Sequence, residues 1–127
     1  MNARPSPLDS IAEIVKATAC LRDSSDNLSA IAVAKVYGVS LTQVAEWLDR
    51  SPQAIARNPN AESLQARIDF FARIARLLAV VSEDDFRRWL RVTNPNLDRE
   101  TPLAWICKKR FQPLADLVDD MLTGAPG

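Results

Sequence analysis

Apolar residues recur at helical spacing along the chain, and nowhere do they alternate over a strand-length run. Leu8, Ile11, Ile14, Val15, Thr18 and Leu21 share one face of a first helix, opened by Ser6-Pro7 with Asp9 in its first turn. Polar residues 23–27 connect it to a second helix over about residues 28–37. Gly38 then supplies a left-handed C′ residue. Ser40 caps a third helix, with Gln43 three residues on completing a capping box. Leu41, Val44, Ala45 and Leu48 form its buried face. Asp49-Arg50 is a tight turn, and Ser51-Pro52 starts a short fourth helix that holds Ile55 and ends near Arg57. Asn58-Pro59-Asn60 breaks the chain.

The second half predicts a fifth and longest helix over residues 61–81. Leu64, Ile68, Phe71, Ala75 and Leu78 form one stripe on it, and Phe70, Ile74, Leu77 and Val81 another. Such a wide apolar face makes it the spine between the two halves, with Asp69, Arg73 and Arg76 on the polar side. Ser82 caps a sixth helix, and Glu83, Asp84 and Asp85 sit at its positive end, which accounts for this acidic run without catalysis. Asn94-Pro95-Asn96 makes a corner flanked by Trp89 and Trp105. Thr101 caps and Pro102 opens the seventh helix. An eighth runs from about Gln112-Pro113 to Gly124, with Leu114, Leu117, Val118, Met121 and Leu122 on one face and Asp116, Asp119 and Asp120 elsewhere. The fold class is all-α: an N-terminal helical region (1–60) joined by the long central helix to a C-terminal helical unit (61–127).

Composition narrows the chemistry. The 127 residues carry 16 basic and 16 acidic side chains, a formal net charge of zero. The balance holds in each half, so no module shows the basic surplus usual in nucleic-acid binders. There is no histidine, and the two cysteines, Cys20 and Cys107, read as separate buried thiols. No metal site or cofactor is expected from that set. Acid–base catalysis would fall to carboxylates or lysine, the serines sit at helix starts, and no glycine-rich phosphate loop exists, so an enzyme is not expected. The longest apolar runs are five residues, such as 77–81, and the N-terminus lacks a signal-peptide core. Both point to a cytoplasmic protein.

Two stretches resemble known patterns. Residues 38–57 resemble the helix-turn-helix of Xre-type regulators. Ala45 sits where the helices approach closely, and Val44, Leu48 and Ile55 where they are buried. Asp49 takes the place of the usual turn glycine, and aspartate tolerates left-handed geometry better than most residues. If the motif reads DNA, Ser51 to Arg57 is the recognition helix, with Arg50, Ser51, Gln53 and Arg57 as contacts; Gln53 suits adenine and Arg57 guanine or phosphate. Packing or dimerisation is the other use of the same geometry, and Arg67, Arg73 and Arg76 read as a solvated face that could add phosphate contacts.

The C-terminal half carries Trp89-Leu90, Asn94-Pro95-Asn96-Leu97, Thr101-Pro102-Leu103 and a terminal amphipathic helix closing on Thr123-Gly124. In that order they resemble the toxin-binding domain of Xre/MbcA/ParS-type antitoxins. The chain departs from the pattern at Asp98 and at residues 108–111, where many members have glycine. The MbcA type, which also lacks those glycines, is the closest variant. The resemblance implies a partner, a RES-domain toxin that degrades NAD, whose active-site cleft the antitoxin's C-terminal part covers. It also implies a homodimer and a hetero-oligomer with the toxin. Trp105, Phe111, Asp116, Asp119, Asp120, Thr123 and Gly124 are the toxin-binding candidates. An NAD pocket must hold a pyrophosphate with cations, so the aspartates suit it as phosphate mimics, against the commoner role of a solvated face. Trp89 and Trp105 read first as core. The alternative for the whole chain is a helix-turn-helix transcription regulator without a toxin partner, and after it an all-α scaffold with neither.

Overall fold

Hydroxyl caps set most of the helix starts. In the computed structural model, which describes residues 19–23, 25 and 27–124, the side chains of Ser29, Ser40, Ser51, Ser82 and Thr101 each accept from the backbone N–H three residues on, at 3.0–3.5 Å. Each satisfies one of the N–H groups that a helix leaves unpaired. They open α1 (Ala30–Tyr37), α2 (Leu41–Trp47), α3 (Pro52–Arg57), α5 (Glu83–Leu90) and α6 (Pro102–Cys107). The remaining two, α4 (Gln65–Ile74) and α7 (Phe111–Thr123), begin without a side-chain cap. All seven are α-helices, and no strand occurs among the described residues. The expected first helix lies outside them except at its end, where Ala19–Leu21 forms a 3₁₀ turn.

Turns close with left-handed residues. Gly38 ends α1 at φ 70° and Gly124 ends α7 at φ 68°. Four residues with side chains share that conformation: Asp49 (φ 57°), Asp98 (φ 54°), Arg99 (φ 63°) and Lys109 (φ 61°). A left-handed residue with a Cβ costs roughly 1–2 kcal/mol relative to glycine, so the surrounding packing must hold these turns.

One sequence expectation fails. The continuous helix over 61–81 is instead α4, preceded by a 3₁₀ turn, Glu62–Leu64, and followed by a 3₁₀ stretch, Ala75–Ala79. Among the described residues the longest helix is α7, with 13 residues. Local propensity favours an unbroken helix here, but tertiary packing overrides it. A 3₁₀ winding brings side chains at i and i+3 over one another, and Arg73 and Arg76 both reach the carboxylate of Asp119 on α7.

Leu64, Ile68, Phe71, Ile74, Ala75 and Leu77 are buried in one apolar cluster with residues from both halves of the chain, and α4 lies against α1 and α7. Phe71 is at its centre, stacked on Trp47 at 5.5 Å and edge-on to Tyr37 at 5.6 Å and Phe111 at 5.2 Å. Tyr37 also meets Phe86 at 5.2 Å. Arginines of α5 and its C-terminal end close the far end of α1: Arg91 donates to the carbonyls of Tyr37 and Gly38 at 3.1 and 2.9 Å, and Arg87 reaches that of Val36 at 3.4 Å. The left-handed φ favours glycine at position 38, and a Cβ there would sit 2.8 Å from Arg87 Cδ, so the Arg87 side chain would also have to shift. Cys20 and Cys107 correct another expectation. No disulfide joins them, but both are exposed, since each lies at the edge of its short helical turn. No described helix is long and apolar enough to cross a membrane.

Tyr37 is the sole tyrosine and is fully buried, its hydroxyl donating to the Phe71 carbonyl at 2.5 Å. Burial pushes its phenol well above the ordinary value of 10.0. The folded state therefore favours the protonated form. That contribution is complete below the unfolded pKa and is lost as pH rises above about 10. In an alkaline titration, tyrosinate absorbance should appear only together with loss of helical circular dichroism. Ionisation near pH 10 in a still-helical protein would contradict this burial.

Candidate functional site: two faces that meet at the Asp49 turn

The first face is the edge formed by α2, α3 and the turn between them. Val44, Ala45, Leu48 and Ile55 are fully buried between the helices. Asp49 makes the turn in the left-handed conformation that its position demands. On α3 only Ile55 is buried; Gln53, Ala54, Ala56 and Arg57 are exposed, with Ser51 and Arg50 before them. The four residues expected to contact DNA are thus all exposed. Ser51 commits its hydroxyl to the Ala54 N–H, and Arg50 donates to the Asp49 carbonyl at 3.1 Å. Beside this edge lies a hollow of about 80 Å³ lined by Arg50, Ile55, Asn58, Ser63 and Leu64 among others. It has room for a side chain but lies far below the roughly 300–1,000 Å³ of a small-molecule site.

The second face belongs to α6 and α7. Leu114, Ala115 and Val118 turn inward and are fully buried. Their register leaves Gln112, Asp116, Asp120 and Thr123, spaced about one turn apart, exposed on the outer side, and Met121 beside them is 45% exposed. Asp119 does not join them. It is half-buried between α7 and α4, its two carboxylate oxygens held by Arg73 and Arg76 at 3.2 Å each. Asp116 lies 3.6 Å from Arg73 but stays largely open to solvent. The three aspartates therefore divide into one that docks α7 on α4 and two that face outward.

Phe111 and Trp105 lie at the other end of α7. At 1.5 Å per residue, Phe111 and Gly124 are separated by about 20 Å, so the seven candidates do not form one cluster. Phe111 is half-buried against Phe70 at 5.9 Å and Phe71 at 5.2 Å. Trp105 is half-buried with the Arg110 guanidinium over its ring at 5.3 Å. Trp89, also half-buried, stacks on Phe86 at 6.2 Å.

The two faces touch through residues that sequence reasoning did not connect. The Asp49 carboxylate is shared by Lys109, from the left-handed turn between α6 and α7, and by Arg67 of α4 at 3.2 Å. Arg67 also donates to the Leu48 carbonyl at 3.1 Å. Lys109 first, and then Arg67, hold the Asp49 carboxyl below the ordinary range for aspartate. Lys108 does the same for Glu100. The only sequence signal for this junction is that two turns lack the glycine their geometry favours and carry opposite charges.

Among the described residues, no three His, Cys, Asp or Glu side chains are grouped so as to hold a metal ion. No protein-family model, no curated protein and no solved structure matches the chain.

Proposed function

We propose that this protein is an antitoxin that silences a RES-domain, NAD-degrading toxin by direct binding, with α7 as the inhibitory element. The observation that carries the reading is the outer side of α7. Asp116, Asp120, Met121 and Thr123 are exposed there, on a helix whose other side is fully engaged in the fold. A cleft that binds a pyrophosphate must offer arginine or lysine, and a carboxylate pair beside an adaptable thioether complements such a cleft. The order of motifs along the C-terminal half supports the same partner. So does the backbone at Asp98 and Lys109, which adopts left-handed geometry where the resembled domain often has glycine.

Production of the chain with the product of the neighbouring open reading frame tests the proposal. Growth should be rescued, and the two proteins should elute together. Deleting the last twelve residues is a poor test, because it removes Val118 from the core; substitutions on the outer side keep the fold. Persistent toxicity with no co-elution would overturn the reading.

A second activity is favoured by a separate observation, the exposure of nearly all of α3. We infer that α3 faces duplex DNA and that the protein regulates its own operon. Gln53 and Arg57 would then read bases or phosphates, with Arg50 and Ser51 at the start of the helix. Salt-sensitive binding of the free protein to its upstream region is the expected result. Binding indifferent to both sequence and salt would remove α3 from this role.

A further inference from the structure

The turn between α6 and α7 belongs to the C-terminal half, yet it lies against the turn that introduces α3. Lys109 contacts Asp49 there, and Arg67 reaches the same carboxylate from α4. Two cations on one carboxylate leave one positive charge over. Arg50, next in sequence to Asp49, and Arg110, next to Lys109, make no ion pair within 4.0 Å among the described residues; Arg50 donates to a carbonyl and Arg110 lies over Trp105, with the Glu100 charge felt only at longer range. Lys109, Arg67 and Asp49 keep 40%, 48% and 54% of their side-chain surface open, so each remains accessible to a further partner. A lysine ammonium has three donors and can hold a carboxylate and a phosphate together. The chain as a whole has no net charge, so this local excess of cations is a feature of position, invisible in composition.

We propose that Lys109 and Arg110, together with Arg67, form a second set of phosphate contacts on the duplex that α3 faces, so that the C-terminal half takes part in DNA binding directly. Asp49 acts as an internal counter-charge that holds these cations in place and weakens their pull on phosphate. The inference rests on the reading of α3 as a DNA-facing helix. It adds that the protein partner and the duplex approach neighbouring parts of one turn, since Trp105 lies under Arg110.

The test is the salt dependence of binding to a duplex carrying the protein's own upstream region, and to a scrambled duplex of equal length. Lys109→Gly removes the cation and keeps the left-handed turn; Arg110→Gln removes its neighbour. Each should lower the slope of log affinity against log salt by about 0.9 for every phosphate that the variant no longer neutralises. Both duplexes should be affected alike, because phosphate contacts carry no sequence information. Asp49→Asn, which tolerates the left-handed turn, should bind severalfold tighter than the wild type. If the turn only latches the two halves together, Asp49→Asn binds no better and the slopes of the Lys109 and Arg110 variants match the wild type; that result overturns the inference and leaves the α3 reading intact. Failure of the wild type to bind either duplex overturns both. Arg88→Gln, on α5 and paired with Asp85, is the control that should leave the slope unchanged, and thermal melting verifies that each variant is folded.

Discussion

Phe71→Ala lowers the unfolding free energy by about 3–5 kcal/mol, the range for deleting a large buried ring. Whole domains are stable by only about 5–15 kcal/mol, so the variant should melt far below the wild type or fail to fold near body temperature. The reason lies in what the ring separates. One side stacks on Trp47, the last residue of α2, and an edge meets Phe111 at the start of α7. Its own carbonyl receives the Tyr37 hydroxyl. Removing the ring opens a cavity that aromatic side chains from different helices would have to close together, and none has the freedom to do so. Chemical denaturation read by circular dichroism and by tryptophan fluorescence checks this. The two signals should move together, because Trp47 and the C-terminal helices meet on the same ring. A destabilisation of under about 1.5 kcal/mol, the scale of a well-tolerated core swap, would mean that the rings repack and that Phe71 is not the joint between the halves.

Under the proposed function, replacing Asp116 and Asp120 together by arginine should cost on the order of 100-fold in affinity for the toxin partner, with only a small fall in melting temperature from the loss of the exposed Asp116–Arg73 pair. Both face outward, and reversing two charges at a cationic cleft turns attraction into repulsion. Asp119→Asn should show the reverse pattern. It loosens α7 from Arg73 and Arg76 and lowers the melting temperature, with a smaller effect on binding. Asp120 lies at the last turn of α7, where a negative charge opposes the helix dipole, so removing it relieves the isolated protein slightly. Measuring affinity and melting on the same preparations separates the two roles. If the double reversal bound the toxin as tightly as the wild type, α7 would not be the inhibitory face. Asp49→Asn provides a useful contrast, since its effect is expected at the other face.

Much of the frame is legible in the sequence because its signals are local. Ser40, Ser51, Ser82 and Thr101 each stand directly before a periodic apolar run, and each is a cap. Gly38 and Gly124 stand directly after one, and each is left-handed. Asp49 is readable for the same reason: a turn of two residues between helices leaves few alternatives. The interruption of the helix over 61–81 is not legible, because its tightening answers to α7, far along the chain. For the same cause periodicity sets the three aspartates of α7 apart from its apolar stripe but not from one another. Which of them meets Arg73 depends on how α7 crosses α4, a quantity that periodicity does not contain. The exposure of the cysteines runs against residue-type averages, which say little about a residue at the rim of a short turn. The contact between Lys109 and Asp49 joins residues 60 positions apart, and only the packed core brings their turns together.

The position of Phe111 also bears on how the protein comes into being. The rings of Phe70 and Phe71 are covered by a residue far along the chain, and α7 begins with it. A growing polypeptide therefore completes α1 to α6 before the residue that covers the aromatic face of α4 has been added. Until α7 has been synthesised the nascent chain exposes that aromatic face, and a product that lacks α7 is suited to proteases rather than to any partner.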